Sequence, residues 1–122
     1  MVETQLSAPI IGAILLSRND LNVYRLCEEI DRVSKQEDIR NAYIIYDTSN
    51  GKYSEAVDRK VSFLVSSRLV SDVNPIVLTP EGKVMFTNMI RETYGKATPE
   101  VKNKIERLCG RLRLDPKDVL YG

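Results

Sequence analysis

The stretch LVSDVNPIVLTPEGK, residues 69–83, decides the fold class of this chain. Two short apolar runs, Val70–Val73 and Ile76–Leu78, flank an Asn-Pro pair that is typical of a turn, and together they predict a small β-hairpin. Thr79-Pro80-Glu81 then predicts a helix start, because it supplies a capping hydroxyl, a first-turn proline and an acid near the positive end of the helix dipole. We expect Gly82 to let this helix approach the hairpin closely.

The residues before the hairpin predict three helices and one strand. Apolar side chains recur every three or four residues in the helical segments, whereas the strand segment is β-branched and aromatic. The predicted elements are a helix over 8–17, a second helix over 21–35 that Asp20 caps, a strand over Tyr43–Tyr46 and a third helix over about 54–69. In the third helix Ser54 is the expected cap, and the expected inner face consists of Val57, Val61, Leu64 and Val65.

The residues after the hairpin predict two further helices. The fourth helix begins at Thr79-Pro80 and is expected to stop at Gly95, since glycine is common at helix C-termini. Thr98-Pro99-Glu100 repeats the start signal, so a fifth helix is expected to about Arg113, followed by a last turn at Asp115-Pro116. The predicted fold class is mostly α with a small β-hairpin (α+β), with a domain over 1–95 and a C-terminal helical extension over 96–122.

The order helix, helix, strand, helix, hairpin, helix resembles that of a winged helix-turn-helix domain over about residues 8–95. Asn50-Gly51-Lys52-Tyr53-Ser54 resembles the G-P-Y-S entry to the third helix in a group of prokaryotic, often archaeal, winged-helix proteins. Leu69-Val70 followed by residues 76–83 is similar to the G-L-I … Y-x-L-T-x-x-G wing signature of many such regulators. The chain differs from the first motif at Lys52, where the motif has proline, and from the second at Arg68, where the motif has glycine.

The resemblance implies a DNA-binding protein, a dimeric transcriptional regulator that places helix 54–69 in the DNA major groove. Double-stranded DNA and a second copy of the chain are then the expected partners, with no cofactor and no small-molecule ligand. Lys and Arg can bind phosphates or guanine, and Ser and Tyr can donate to phosphate oxygens. The candidate DNA contacts are Lys52, Tyr53, Ser54, Arg59, Lys60, Ser62 and Ser66.

The same surface also supports an alternative partner. Glu55 and Asp58 lie on the outward face of the third helix, where they would repel phosphates, and the wing tip over 71–75 has no cation. A wing that enters the minor groove ordinarily carries a cation. The alternative is a winged-helix protein-interaction module, a subunit or adaptor of a larger assembly that does not bind DNA directly.

The charge of the chain is nearly balanced in total but uneven along its length. Eighteen basic and seventeen acidic residues give a net charge of +1. Residues 1–50 hold five basic and eight acidic groups, residues 51–95 hold six and five, and residues 96–122 hold seven and four. The net charges of the three segments are therefore −3, +1 and +3. This asymmetry allows one positive surface on a nearly neutral molecule.

The composition excludes several classes of enzyme. The chain has no His, which excludes His-based acid–base, triad and zinc-imidazole chemistry, and its six glycines are isolated, which excludes a phosphate-binding loop. Glu28 and Asp31 share a helix face and could hold a hard cation, but acids in this pattern are more often a solvated surface. We therefore expect neither enzymatic activity nor a metal site.

Cys27 and Cys109 are the only cysteines in the chain. Both fall in helical apolar patterns, so buried free thiols are expected, with a disulfide as the alternative. The longest apolar stretch, over 8–16, is short for a membrane span, and the acidic start of the chain differs from a signal peptide. These features predict a cytoplasmic protein without membrane contact.

The fifth predicted helix carries an apolar stripe, in which Val101, Ile105, Leu108 and Leu112 are spaced four, three and four residues apart. This spacing is that of a two-heptad coiled coil. The stripe could pair with the same helix of a second copy, in which case these four residues form a dimer interface. It could instead pack on the first helix of its own domain, and the sequence leaves both arrangements open.

Overall fold

The computed structural model describes residues 6–40 and 43–121. Within those ranges the chain forms six helices and two antiparallel two-stranded hairpins, which confirms the mostly helical α+β class. The elements are α1 (Ser7–Ser17), α2 (Val23–Gln36), β1 (Tyr46–Thr48), β2 (Gly51–Tyr53), α3 (Glu55–Ser66), β3 (Val70–Val73), β4 (Ile76–Leu78), α4 (Pro80–Lys96), α5 (Pro99–Arg111) and α6 (Pro116–Val119).

The start of α2 differs from the prediction, because Asn22 rather than Asp20 caps the helix. The Asn22 side chain accepts a hydrogen bond from the backbone N–H of Arg25 at 2.9 Å. Asp20 instead accepts one from Arg18 Nε at 2.9 Å. The Arg18 guanidinium therefore competes with the helix for the Asp20 carboxylate. Asn22, the next residue suited to capping, begins the helix instead.

The strand predicted over Tyr43–Tyr46 is also displaced, because β1 begins at Tyr46 and pairs with β2. Tyr46 lies opposite Tyr53 and Thr48 lies opposite Gly51. The turn between them closes through the Thr48 hydroxyl, which donates to the Gly51 carbonyl at 2.7 Å, and Gly51 has a φ of 124°. The Asn50-Gly51 turn therefore joins two strands in a hairpin. The position of this turn sets where β1 begins, because β1 extends only as far as its pairing with β2.

Helix α4 does not stop at Gly95 as predicted. It continues to Lys96, and Ala97 ends it in an extended conformation. Thr98 is also extended, and its side chain accepts from the N–H of Val101 to cap α5. The start signal of the following helix therefore sets the end of α4, while Gly95 lies in open space inside the last turn.

Three helices end in a left-handed residue that is not glycine. Asp38, Arg68 and Arg113 have φ values of 51°, 61° and 58°, directly beyond α2, α3 and α5. In each case the next residue closes the helix end, as where Leu69 N–H donates to the Leu64 carbonyl at 2.9 Å. Arg68 thus occupies the position at which the similar wing motif has glycine, and it adopts the conformation that favours glycine.

The β3–β4 hairpin meets the helices at two points. Ile76 N–H donates to the carbonyl of Leu21, which precedes α2, at 2.7 Å. At the base of the hairpin, a Cβ added to Gly82 in α4 would lie 2.0 Å from the carbonyl oxygen of Leu69, which also accepts from Thr79 N–H. The close approach predicted at Gly82 is therefore confirmed. The turn between the strands contains a cis peptide bond between Asn74 and Pro75.

Helix α1 is the centre of the core and packs mainly against α4. Ile10, Ile11 and Ile14 are fully buried. Gly12 faces the ring of Phe86, since a Cβ at this position would lie 2.4 Å from Phe86 Cδ1. None of the helices in the described ranges is long and apolar enough to cross a membrane.

Helix α5 completes the same core and is not a separate layer. The stripe of Val101, Ile105, Leu108 and Leu112 is at most 9% exposed in the single chain. The stripe is therefore buried within the single chain, where α5 contacts α4 and the end of α2 rather than mainly the first helix. A second copy could pair along this stripe only if these side chains left the core.

Candidate interaction surface

Helix α3 presents one face to the core and the rest of its surface to solvent. Ser54 caps it by accepting from the N–H of Val57 at 3.3 Å, as predicted. Val57, Val61 and Leu64 are buried, which confirms three members of the predicted inner face. Val65 was expected there too but is 42% exposed, because it lies about 80° around the helix from Val57 at 100° per residue.

The outward ridge of α3 is polar and contains part of the predicted site. Glu55, Arg59, Ser62 and Ser66 are all exposed. Ser66 donates its hydroxyl to the Ser62 carbonyl at 3.1 Å, so it is partly satisfied within the helix. Lys60 is half-buried on the other flank of the helix.

Ser54 does not belong to this exposed surface. It is fully buried, and its hydroxyl oxygen is engaged as the helix cap. A direct contact between Ser54 and DNA is not compatible with that burial.

Lys52 faces the molecule's own acids rather than a partner. Its Nζ lies 3.0 Å from Asp47 Oδ1 and 3.8 Å from Asp31 Oδ2. The hydrogen bond to Asp47, with the nearby acids, raises the pKa of Lys52. A phosphate would therefore compete with two carboxylates for this ammonium group.

Tyr53 is held by aromatic and carboxylate contacts beside the start of α3. Its ring centroid lies 5.6 Å from that of Tyr24 and 5.9 Å from that of Tyr46. Its hydroxyl donates to Asp58 Oδ2 at 2.5 Å, and this bond raises the pKa of Tyr53 to about 12. The hydroxyl is therefore committed to Asp58, and Asp58 is held in a defined position.

A groove lies between the start of α2, helix α3 and the tip of the β3–β4 hairpin. Its volume is about 490 Å³, and its exposed lining is mostly apolar. It is lined by Asn22, Val23, Tyr24, Asp58, Val61, Ser62, Val65, Val73 and Asn74. We call it the α2–α3–hairpin groove. Asp58 is the one charged side chain among these lining residues.

Exposed apolar side chains concentrate around α3. Among the described residues seven large hydrophobic side chains are exposed, and five of these lie on α3, on the β3–β4 hairpin, in β1 or just before β1. These five are Ile44, Tyr46, Phe63, Val65 and Val73. Clustered exposed apolar side chains mark interaction sites, and Val65 and Val73 line one groove together. The sequence did not predict these exposed side chains, although the position of Val65 on the helical wheel indicates its exposure.

The tip of the β3–β4 hairpin is acidic. Asp72 Oδ1 accepts from the backbone N–H groups of Val73 and Asn74, at 2.7 and 3.2 Å. The described residues 71–75 include no Lys or Arg. The hairpin therefore lacks the cation that a wing in a DNA minor groove uses.

The basic groups of the C-terminal segment are largely engaged within the chain. Glu37 has a side chain only 2% exposed, and Arg107 Nε and Arg111 Nε lie 3.2 and 3.1 Å from its two oxygens. Lys104 is buried and donates to the Asp38 carbonyl at 2.8 Å. The positive charge of residues 96–122 thus serves in part to fasten α5 to the end of α2.

The remaining chemistry-bearing residues are placed as follows. Asp31 pairs with Lys35 at 3.0 Å, and the described residues contain no cluster of three or more His, Cys, Asp or Glu arranged to hold a metal ion. Cys27 and Cys109 are buried free thiols, as expected, and burial raises the pKa of each to about 11.

No family model, no curated protein and no solved structure matches this chain. Its function is therefore inferred from the geometry of the described residues.

Proposed function

We propose that this chain is a winged helix-turn-helix domain that binds a partner protein through α3 and the β3–β4 hairpin. The support for the fold is the sequence of elements from α1 to α4. Helix α3 leads directly into the hairpin, the hairpin is bonded to Leu21 between α1 and α2, and α4 returns beneath the hairpin. Residues 37–54, with their own hairpin, separate α2 from α3, where a helix-turn-helix ordinarily has three or four residues.

The α2–α3–hairpin groove is the observation that favours a protein as the partner. An apolar cleft with one acid and no cation in its lining is poorly suited to a polyanion, because DNA binding depends on neutralising phosphates. Protein interfaces instead have an apolar centre with a polar rim. Val65 and Val73 supply such a centre, and the polar ridge of α3 supplies a rim.

Site-specific photo-crosslinking in cells that encode the protein tests this proposal. Benzoylphenylalanine in place of Ser62, at the groove, should give protein adducts. The same group in place of Lys117, exposed near the C-terminus, is the control and should not give them. Val65→Glu should remove the adducts formed from position 62. Val84→Glu, which makes the same change at an exposed position of α4, should leave them. Adducts of equal yield from both positions would contradict the proposal.

DNA binding is a second candidate, favoured by the ridge of α3. Arg59 is exposed at its centre, with the exposed Ser62 one turn further, while Lys60 is half-buried on the other flank of the helix. An Arg and a Ser at this spacing can contact guanine and phosphate in a major groove. Glu55 on the same ridge opposes this, as it would repel phosphates.

Binding to random-sequence duplex DNA at two salt concentrations separates the candidates. A DNA-binding protein would lose affinity steeply as salt rises, and less steeply in the double variant Arg59→Ala with Lys52→Ala. The double variant Arg113→Ala with Lys117→Ala is the control for the same loss of charge elsewhere. We expect no binding at about 20–50 mM salt, where electrostatic association is strongest. Tight binding that the first double variant weakens selectively would favour DNA instead.

A further inference from the structure

We propose that the α2–α3–hairpin groove takes a partner segment in which a Lys or Arg lies beside apolar side chains, with Asp58 as the counter-ion of that cation. This inference rests on the proposed function and adds the chemistry of the partner. It follows from the charge, the shape and the hydrogen bonding of the groove.

The charge of the groove is set by Asp58 alone. The N-cap and first turn of α2 contribute Asn22, Val23 and Tyr24, and the β3–β4 hairpin contributes Val73 and Asn74, so neither element brings a charge into the lining. The nearby ammonium of Lys52 is held by Asp47 and Asp31. A cation entering the groove therefore meets one carboxylate, and an anion would meet no compensating charge in the lining.

Asp58 is positioned to accept from such a cation. Its Oδ2 accepts from Tyr53, and that bond fixes the orientation of the carboxylate. A carboxylate accepts several hydrogen bonds, so Oδ1 retains acceptor capacity for a Lys or Arg. The ring of Tyr24, in the same lining, is a further attractive surface for a cation.

The volume and the apolar lining of the groove favour apolar partner side chains next to that cation. Its volume of about 490 Å³ lies within the range of roughly 300–1,000 Å³ for binding clefts. Val61, Val65 and Val73 line it and offer no hydrogen bonds from their side chains. Apolar partner groups therefore cover these valines while the cation reaches Asp58.

A displayed library of random 12-residue peptides, selected on the full chain, tests the inference. We expect the enriched peptides to combine Lys or Arg with aliphatic or aromatic residues. These peptides should not bind the Val65→Glu variant of the chain. Asp58→Asn should weaken their binding roughly tenfold, since it removes the charge from a charge-assisted hydrogen bond. It should leave the fold intact, because the amide oxygen can still accept from Tyr53.

Glu55→Gln is the matched control. It removes an equal charge from the first turn of the same helix, outside the groove lining, and should change binding less than twofold. In a second selection, on Asp58→Lys, acidic peptides should replace basic ones. Unfolding midpoints of all variants establish that they are folded.

The outcomes distinguish the two proposals. Peptides that depend on Val65 but carry no basic residue, or that bind Asp58→Asn as well as the parent, would overturn the inference and leave the proposed function standing. If no enriched peptide depends on Val65, or if duplex DNA displaces those that do, the proposed function fails and the inference with it.

Discussion

Replacing Gly82 by alanine tests how closely α4 approaches the β3–β4 hairpin. The added Cβ would lie 2.0 Å from the carbonyl oxygen of Leu69 and 3.3 Å from Leu78 Cδ2. The first of these atoms is backbone and cannot turn away as a side chain could. The same oxygen accepts the N–H of Thr79 at 3.0 Å, so any shift that makes room strains that hydrogen bond.

The expected loss of stability follows from three contributions. Forcing a methyl group into a packed site costs about 1–3 kcal/mol, and the overlap at Gly82 places the change toward the upper end. Weakening the Thr79 hydrogen bond costs about 0.5–1.5 kcal/mol. Alanine gains about 1 kcal/mol over glycine in helix propensity, which opposes both. The free energy of unfolding should therefore fall by about 2–3 kcal/mol.

Urea unfolding of the Gly82→Ala variant, compared with the Gly95→Ala variant, measures this effect. Gly95 lies in the same helix, and a Cβ there meets nothing within 4 Å. Gly95→Ala should therefore raise the free energy of unfolding by up to about 0.5–1 kcal/mol. If the two variants were equally stable, or if Gly82→Ala came within about 0.5 kcal/mol of the parent, the argument from close approach would be refuted.

Three further predictions concern other parts of the molecule. Arg68→Gly should raise the free energy of unfolding by up to about 1 kcal/mol, because φ at this position is 61°, and thermal unfolding measures the gain. Glu37→Gln should lower the free energy of unfolding, measured in urea, by about 1–2 kcal/mol, because Arg107 and Arg111 lose a buried carboxylate. Glu92→Gln, in an exposed pair with Lys96, is the control and should show no such loss. The folded-state pKa of Cys27 and Cys109 is raised from 9.0 to about 11, so the stability that the protonated thiols contribute is complete below pH 9 and is lost as pH rises toward 11. Unfolding midpoints that stay constant from pH 8 to 11 would contradict this last prediction.

Local signals predicted the elements that depend on neighbouring residues. The Thr-Pro-Glu starts of α4 and α5 and the cap at Ser54 are correct, since each needs only side chains within one helical turn. The first hairpin was not predicted, and α4 ends at Lys96, one residue beyond the predicted Gly95. The hairpin depends on pairing between Tyr46 and Tyr53, and the end of α4 depends on where the next helix begins.

The outward ridge of α3 could be predicted from the sequence, but the groove beside it could not. Spacing along the chain placed Arg59 and Ser62 outward, and both are exposed. The same spacing could not show that Lys52 is held by two acids, or that Asp58 is fixed by Tyr53. Those contacts join residues from different elements, so they exist only once the chain is folded.

The sequence by itself determined that this chain is a mostly helical domain with a hairpin between α3 and α4, because helix starts, turns and apolar periodicity are local properties. The tertiary structure alone decided how its charges and apolar stripes are used. It buried the stripe of α5 in the core, engaged Arg107 and Arg111 with Glu37, and left Val65 and Val73 exposed around one carboxylate. Burial and charge pairing depend on which elements pack together, and this packing engages basic side chains within the chain while leaving an apolar groove open beside α3.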